Sequence, residues 1–236
     1  MVYGAIEAGA SPRESLDEGV GRGRATCRKE SLFRDGLSPG SREGGGAVGI
    51  TLDLIHRVTD QELRALSERN PGYQFERTAR GELMVSPTGS EAGRRNMELA
   101  FQLQAWSRQN SRGVAFDSST GFNLPDGSCL SPDASWITGE VWTALSPSAR
   151  QGFAPVCPDA VFEVRSRSNT PMELRGKMHS YLANGARLAV LIDPDTRTVE
   201  VYRPELPPQV YAAAVRVPLD PELPGFMLDL VPLFEG

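Results

Sequence analysis

The segment Ala160–Val164, with the sequence Ala-Val-Phe-Glu-Val, constrains the fold of this chain more than any other. Its apolar residues predict a buried strand, and a second apolar run, Leu188–Ile192, predicts another. Glu163 must be protonated, paired or bound to a metal in such a strand, because an isolated buried charge is too costly. An ion pair of Glu163 with Arg165 or Arg167 at the strand end is the alternative.

Helices are expected on both sides of these strands. The capping box Thr59-Asp-Gln-Glu62 predicts a helix over residues 60–69, and two more are predicted over residues 90–109 and 171–184. The apolar side of the longest helix is predicted to consist of Met97, Ala100, Phe101, Leu103 and Trp106. Further strands are predicted at 73–77 and 82–85 (a hairpin), 114–118, 121–124, 134–137, 198–203, 210–217 and 226–230. The expected fold is one α/β domain with a mixed β-sheet flanked by helices.

Residues 1–49 differ from the rest of the 236-residue chain. They hold 11 of its 24 glycines and balance seven basic against seven acidic residues, without a helical or strand period. Such a segment cannot bury enough apolar surface to offset its ordering entropy. We therefore expect a disordered Gly/Arg-rich tail over residues 1–48 and a folded domain over residues 49–236. An Arg-Gly arm that contacts nucleic acid is the alternative for the tail.

The composition argues against several classes of protein. The chain has no run of 18 apolar residues, and Met1–Ala10 lacks the basic and apolar regions of a secretory signal, so we expect a cytoplasmic protein without a membrane partner. Three cysteines without CxxC spacing and two histidines do not favour a disulfide framework or a zinc site. The formal charge of −5 means that a polyanionic partner would need a local basic patch or bound metal ions.

Two residues besides Glu163 are candidates for chemistry. Asp133 follows Ser131-Pro132 and opens a predicted strand, where an aspartate caps a turn as readily as it binds a metal. Lys177 is one of only two lysines in the chain, against 23 arginines, which predicts that position 177 needs an ammonium. An ammonium is a compact charge suited to holding a water nucleophile or stabilising a developing phosphorane. The alternative is a solvated pair of Lys177 with Glu173, one helical turn earlier.

Together these residues predict metal-assisted hydrolysis of a phosphodiester. Two carboxylates from neighbouring strands can hold Mg²⁺ or Mn²⁺, and a nearby lysine can assist in-line attack by water. Asp159, which follows Pro158, competes with Asp133 for the metal but is more typical of a turn residue. A glycosidase with Asp133 and Glu163 as acid and base is a weaker alternative, because it leaves Lys177 without a role.

These residues belong to a series of short motifs, and as a set the series resembles the Uma family, a restriction-endonuclease branch of the PD-(D/E)XK nuclease superfamily. The likeness spans roughly residues 55–232. Its motifs are Ser86-Pro-Thr88, Gly121-Phe122, Ser131-Pro-Asp133, Pro158–Ser166, Lys177–Tyr181, Leu191–Pro194, Val199–Tyr202 and Pro224-Gly-Phe226. The resemblance implies a restriction-endonuclease-like core and a Mg²⁺-dependent endonuclease that cuts DNA.

The resemblance also assigns roles to individual residues. In the superfamily an Asp and a Glu bind the metal, which corresponds to Asp133 and Glu163 here. The lysine usually lies two residues after the Glu, where this chain has Arg165. In the Uma-like branch the lysine comes from the following helix, which matches Lys177 and leaves Arg165 as a candidate substrate contact. An additional metal ligand on the first core helix corresponds best to Glu91.

Two further expectations follow from the resemblance. Nucleases of this kind often pair to cut two strands, so a homodimer is expected, with the late strands and the Pro-rich segment 204–208 as candidate contacts. The alternative function is a catalytically silent nuclease-like domain that binds nucleic acid or a protein. Such a domain would keep the fold without turnover.

Overall fold

The computed structural model describes residues 49–110 and 113–235. The tail predicted over residues 1–48 lies outside these ranges. Within the described ranges, no helix is both long and apolar enough to cross a membrane. In chain order the elements are β1 (Ile50–Leu52), α1 (Asp60–Arg69), β2 (Tyr73–Arg77), β3 (Leu83–Pro87), α2 (Ser90–Asn110), β4 (Gly113–Asp117), β5 (Phe122–Asn123), β6 (Cys129–Leu130), β7 (Ala134–Thr138), α3 (Gly139–Ala144), β8 (Ala160–Val164), α4 (Pro171–Ala183), β9 (Leu188–Asp193), β10 (Thr198–Tyr202), β11 (Gln209–Ala212), β12 (Arg216–Pro218), β13 (Met227–Asp229) and α5 (Val231–Phe234).

A six-stranded mixed sheet with the order β11-β10-β9-β8-β7-β4 forms the centre of the domain. The strands β8 and β9 are parallel and are connected through α4, whereas the other neighbouring strands are antiparallel. All five residues of β8 are buried, as expected for a strand covered on both faces. The predicted α/β fold with a mixed sheet flanked by helices is confirmed.

The helix α2 covers one face of the six-stranded sheet. Its buried stripe consists of Leu99, Leu103 and Trp106, which pack in the same core as Phe162 of β8. The predicted apolar side was wrong in part, because Met97 and Phe101 are exposed. The three buried residues follow the i, i+4, i+7 spacing of a single helical face, and Met97 and Phe101 lie outside that stripe.

The opposite face of the sheet is covered by α4 and by strands of a second sheet. Leu174 and Met178 of α4 share a core with Val161 of β8 and with Phe122 and Leu130 of the second sheet. This second sheet has the order β1-β3-β2-β6-β5. The sequence correctly predicted the hairpin of β2 and β3, but its place in a separate sheet is set by tertiary packing. The hairpin thereby lies beside α4.

The late strands differ from the sequence prediction. The single strand predicted over residues 210–217 is divided into β11, which forms the edge of the large sheet, and β12, which pairs with β13 in a two-stranded sheet. Between them Ala213 has a φ of 51°, a left-handed conformation that a regular strand cannot contain. The prediction of one continuous strand was therefore wrong.

Candidate active site

Glu163 of β8 is 5% exposed and contacts two side chains of α4. Its Oε1 accepts a hydrogen bond from the Tyr181 hydroxyl at 3.0 Å and lies 2.8 Å from the Nζ of Lys177. Lys177 and Tyr181 are one helical turn apart, so α4 presents both to β8 from the same face. The predicted ion pair of Glu163 with Arg165 or Arg167 is wrong, because the cation beside Glu163 is Lys177.

Asp133 lies directly before β7, across from Glu163. The pairing of β7 with β8 reaches Ala134 opposite Phe162, so the next position in the register sets Asp133 opposite Glu163. Residues opposite each other on antiparallel strands have Cβ atoms about 5 Å apart. The Oδ2 of Asp133 accepts a hydrogen bond from the backbone N–H of Val164 at 2.7 Å. Asp133 therefore holds the end of β8, and the alternative that it caps a local turn is wrong.

Glu76 of β2 is a residue that the sequence analysis missed. It is 8% exposed, its Oε1 lies 2.9 Å from the Nζ of Lys177, and the same oxygen accepts a hydrogen bond from the backbone N–H of Ser131 at 2.6 Å. Glu76 belongs to a strand that alternates polar and apolar residues, which is typical of a half-exposed hairpin. The packing of the hairpin beside α4 buries it, and no local pattern predicts that packing.

Asp133, Glu163, Glu76 and Lys177 form what we call the carboxylate–lysine cluster. Burial raises the pKa of Glu163, the charges of Asp133 and Glu76 raise it further, and the ammonium opposes them. Burial also raises the pKa of Asp133, against the hydrogen bond from Val164. Burial disfavours the charged form of Lys177, but the carboxylates of Glu163 and Glu76 overcome this effect and raise its pKa above the usual value. The ammonium is therefore protonated at neutral pH.

The cluster combines three carboxyl groups with one ammonium. Burial raises the pKa of Glu163 to about 8, so its neutral form is favoured at pH 7. Ionisation of all three carboxyl groups would leave an excess of two negative charges. One divalent cation would neutralise that excess. No group of three or more His, Cys, Asp or Glu side chains forms a preformed metal cage in the part of the chain that the structure describes. Mg²⁺ needs no such cage, because it keeps several waters and is commonly held by one or two carboxylates.

Glu91, the additional metal ligand suggested by the resemblance, lies in the first turn of α2. Its carboxylate is exposed and pairs with Arg94 at 2.7 Å and Arg95 at 3.1 Å. The hydrogen bond from Arg94 lowers the pKa of Glu91. Within the described ranges, Glu91 makes no hydrogen bond or ion pair with a member of the carboxylate–lysine cluster.

Arg165, the candidate substrate contact, is engaged in ion pairs on the other side of the β8 end. Its Nη1 lies 2.9 Å from Asp193 and 3.2 Å from Asp195. The pairing follows from the parallel register of β8 and β9, which brings both strand ends to the same edge of the sheet. The structure therefore does not bring Arg165 into the cluster, although it follows Glu163 by only two residues.

Glu173 and Asp159, the two competing residues, have structural partners. Glu173 forms a capping box with Thr170 at the start of α4, so the alternative of a surface pair with Lys177 is wrong. Asp159 accepts a hydrogen bond from the backbone N–H of Thr138 at 2.8 Å. Asp159 thus holds the opposite end of β7 from Asp133.

Two cavities lie near the cluster, and one of them is lined by members of it. One, of about 450 Å³, is lined by Asn96 and Ser131, which neighbour Asp133, and by the aromatic residues Tyr73 and Phe153. The other, of about 460 Å³, includes Glu76 and Lys177 in its lining. Cavities of this size are typical of ligand sites. The cluster is therefore bordered by open space beside Glu76 and Lys177.

Comparisons with known proteins agree with the fold. Residues 60–231 match the family model Uma2, which is described as "Putative restriction endonuclease". A solved structure from Anabaena variabilis, described as a putative nuclease belonging to DUF820, is 21% identical with a TM-score of 0.58 and covers 68% of this chain and 89% of that chain. At this identity the likeness shows the fold alone, and no curated protein matches significantly. Because the family model matches most of its length, this chain belongs to the Uma2 family of restriction-endonuclease-like proteins.

Proposed function

We propose that this protein is a metal-dependent endonuclease that hydrolyses phosphodiester bonds of DNA at the carboxylate–lysine cluster. The observation that carries the proposal is the convergence of the buried Glu163 and Glu76 and the half-buried Asp133 around the ammonium of Lys177. Burying a charge without a compensating partner is costly. Groups whose pKa values are shifted by burial and by neighbouring charges concentrate at functional sites. The family match supports the class of reaction.

Asp133 and Glu163 are the proposed ligands of Mg²⁺ or Mn²⁺. Their oxygens are the donors that these hard cations prefer, and a bound divalent ion would favour the ionised form of Glu163, whose pKa burial raises to about 8. When bound, the cation supplies a Lewis acid for the phosphoryl oxygen and lowers the pKa of water. Tyr181 holds Glu163 through its hydroxyl, and the backbone of Val164 holds Asp133.

Lys177 is proposed to stabilise the negative charge that develops on the phosphoryl group. Its raised pKa makes it a poor general base at neutral pH, so its contribution is electrostatic. An ammonium has three N–H donors, and three oxygens lie within 3.1 Å of Nζ, one of Glu163 and both of Glu76. A phosphate oxygen would replace one of the two Glu76 contacts. Glu76 and Glu163 together fix the position of Nζ.

A cleavage assay tests the proposal. The full-length protein is incubated with supercoiled, linear and branched DNA in Mg²⁺, Mn²⁺ or EDTA. We expect cleavage only with metal and its loss in Glu163→Gln. Glu200→Gln is the matched control, because Glu200 is also a strand carboxylate paired with a cation of α4, Arg175 at 2.6 Å.

Two outcomes would contradict the proposal. Cleavage by Glu163→Gln at the wild-type rate would show that the activity does not depend on the carboxylate–lysine cluster. Binding of DNA without cleavage in any metal would favour the alternative, a silent binding domain.

A homodimer, proposed for cutting two strands, is tested separately by light scattering at micromolar concentration, where the mass of a single chain would contradict it.

A further inference from the structure

Asn96 of α2 is a buried amide with an incomplete set of hydrogen bonds. It is 8% exposed, and its Nδ2 donates to the Oδ1 of Asp133 at 2.6 Å. Its own Oδ1 is buried and has no hydrogen-bond partner among the described residues. Buried polar atoms nearly always have a partner, so an unpaired amide oxygen next to a candidate metal ligand needs an explanation.

The position of Asn96 on α2 makes a purely structural role unfavourable. Asn96 lies on the same helical stripe as Leu99 and Leu103, which pack in the core under the six-stranded sheet. A leucine would continue that stripe and remove the unpaired Oδ1, but it would also leave the Oδ1 of Asp133 without the donor that Asn96 supplies. Asparagine is also a weaker helix former than leucine. The amide at position 96 therefore serves Asp133 and not the core.

We infer that Asn96 is a positioning residue for the divalent cation of the proposed nuclease, an inference that rests on the proposed function. The Nδ2 of Asn96 orients the Asp133 carboxylate, and its Oδ1 is available to accept a hydrogen bond from water in the loaded site. Asn96 also lines the cavity of about 450 Å³, so its side chain borders space that water can enter. Residues that orient metal ligands in this way contribute strongly to metal affinity.

Asn123 provides a matched control. Its Nδ2 donates to the carboxylate of Asp60 at 2.9 Å, and its Oδ1 is likewise buried without a partner among the described residues. The amide–carboxylate contact is of the same kind as that of Asn96 and Asp133, and the Nδ2 of Asn123 also donates to the carbonyl of Phe153 at 3.3 Å. Its partner Asp60 lies at the start of α1 and is not a member of the cluster.

The test is a Mn²⁺ titration by calorimetry on full-length wild type, Asn96→Leu and Asn123→Leu, without DNA. Leucine has the same branching and the same number of side-chain heavy atoms as asparagine, and it replaces both polar atoms by methyl groups. We expect Asn96→Leu to weaken Mn²⁺ binding by about 10- to 100-fold and Asn123→Leu to leave it unchanged. Thermal melting without metal verifies that each variant is folded. Should Asn96→Leu not fold, Asn96→Ala carries the same expectation.

The outcomes separate this inference from the proposed function. If wild type and Asn96→Leu bind Mn²⁺ equally, the role of Asn96 is refuted while the metal site stands. If both asparagine variants lose affinity equally, the effect is general and the role of Asn96 is again refuted. If wild type neither binds Mn²⁺ nor cleaves DNA in its presence, both the inference and the proposed function fail.

Discussion

Lys177 illustrates how the surroundings of one residue determine its chemistry. Its ammonium lies between two buried carboxylates from different sheets, Glu163 of β8 and Glu76 of β2, and these raise its pKa. An ammonium concentrates its charge at one atom, whereas a guanidinium is planar and spreads it over a fork. At this position the compact form allows Nζ to contact both carboxylates at once.

The substitution Lys177→Arg should therefore abolish most cleavage despite its conserved charge. The expected loss is on the order of 10²–10³ in the single-turnover rate, typical of one electrostatic catalytic group. Circular dichroism should show a retained fold. Arg175→Lys, an exchange on the exposed side of the same helix, is the control and should cleave like wild type. Wild-type cleavage by Lys177→Arg would mean that Lys177 has no catalytic role.

Some residues of the site could be predicted from the local sequence, whereas others are brought to the site only by tertiary packing. Asp133, Glu163 and Lys177 each stand out in their local sequence. Glu163 interrupts an apolar strand, Asp133 opens a predicted strand directly after a proline, and Lys177 is one of only two lysines. Glu76 occupies an ordinary polar position of a hairpin, and only tertiary packing buries it. Asn96 left a usable signal, because it continues the apolar stripe of Leu99 and Leu103. The contacts of both depend on distant parts of the chain.

Asp193 makes the free energy of unfolding of this protein depend on pH in the acidic range. Burial alone would raise its pKa, but the hydrogen bonds from Arg165 and Thr196 outweigh burial and lower the pKa below its usual value of 3.8. A lowered folded-state pKa stabilises the protein above the unfolded-state value, and that stabilisation is lost as pH falls through the folded-state pKa.

We therefore expect Asp193→Asn to be less stable than wild type at pH 7. The difference should shrink as pH falls below about 4, where the unfolded-state carboxyl becomes protonated. Urea unfolding midpoints between pH 3 and pH 7 measure this. A difference that is constant over the whole range would show that the ionised form of Asp193 contributes nothing.

At the scale of elements, α4 positions the cluster. It connects the parallel strands β8 and β9 and presents Lys177 and Tyr181 to Glu163. Its first turn is fixed by Thr170, whose Oγ1 accepts from the N–H of Glu173 while the Glu173 carboxylate accepts from the N–H of Thr170. The capped first turn fixes where α4 begins, and this in turn fixes the position of Lys177 about two turns later.

The matched pair Thr170→Ala and Thr59→Ala tests this role, because both threonines form capping boxes. Each substitution should cost about 1 kcal/mol of unfolding free energy in urea titrations. Only Thr170→Ala should also slow cleavage, since α1 does not carry a residue of the cluster. Equal effects of the two variants on cleavage would indicate that the loss of activity reflects stability alone.

The boundaries of the elements were easier to predict than their partners. Capping boxes and apolar runs are local, so α1, α4 and β8 were predicted within a residue or two. The membership of β2 in a second sheet was not, because sheet partners are set by long-range packing. The same limitation explains the misassigned side of α2, where the apolar Met97 and Phe101 lie outside the buried stripe.

At the scale of the whole molecule, the cluster forms where two sheets meet across α4. Glu76 and Lys177 are 101 residues apart in sequence, and Asp133 and Glu163 come from neighbouring strands of the six-stranded sheet. The site therefore depends on the folded domain as a unit. Unfolding of the β2 hairpin would leave the Lys177 ammonium with only one carboxylate partner.

The N-terminal segment is predicted to be dispensable for this domain. Residues 1–48 are dense in glycine and have no apolar period, so they offer little surface for packing. Deleting them should leave the melting temperature in calorimetry nearly unchanged. A drop of several degrees would mean that the segment contributes to the stability of the domain.

The most direct measurement of the proposed chemistry is anomalous diffraction from crystals of the full-length protein grown with Mn²⁺. A single cation shared by Asp133 and Glu163 predicts one manganese peak within about 2.5 Å of an oxygen of each carboxylate. The peak should be absent from Glu163→Gln crystals grown in the same way. A peak elsewhere, or a peak that persists in Glu163→Gln, would contradict the assignment of the carboxylate–lysine cluster as a metal-dependent nuclease site.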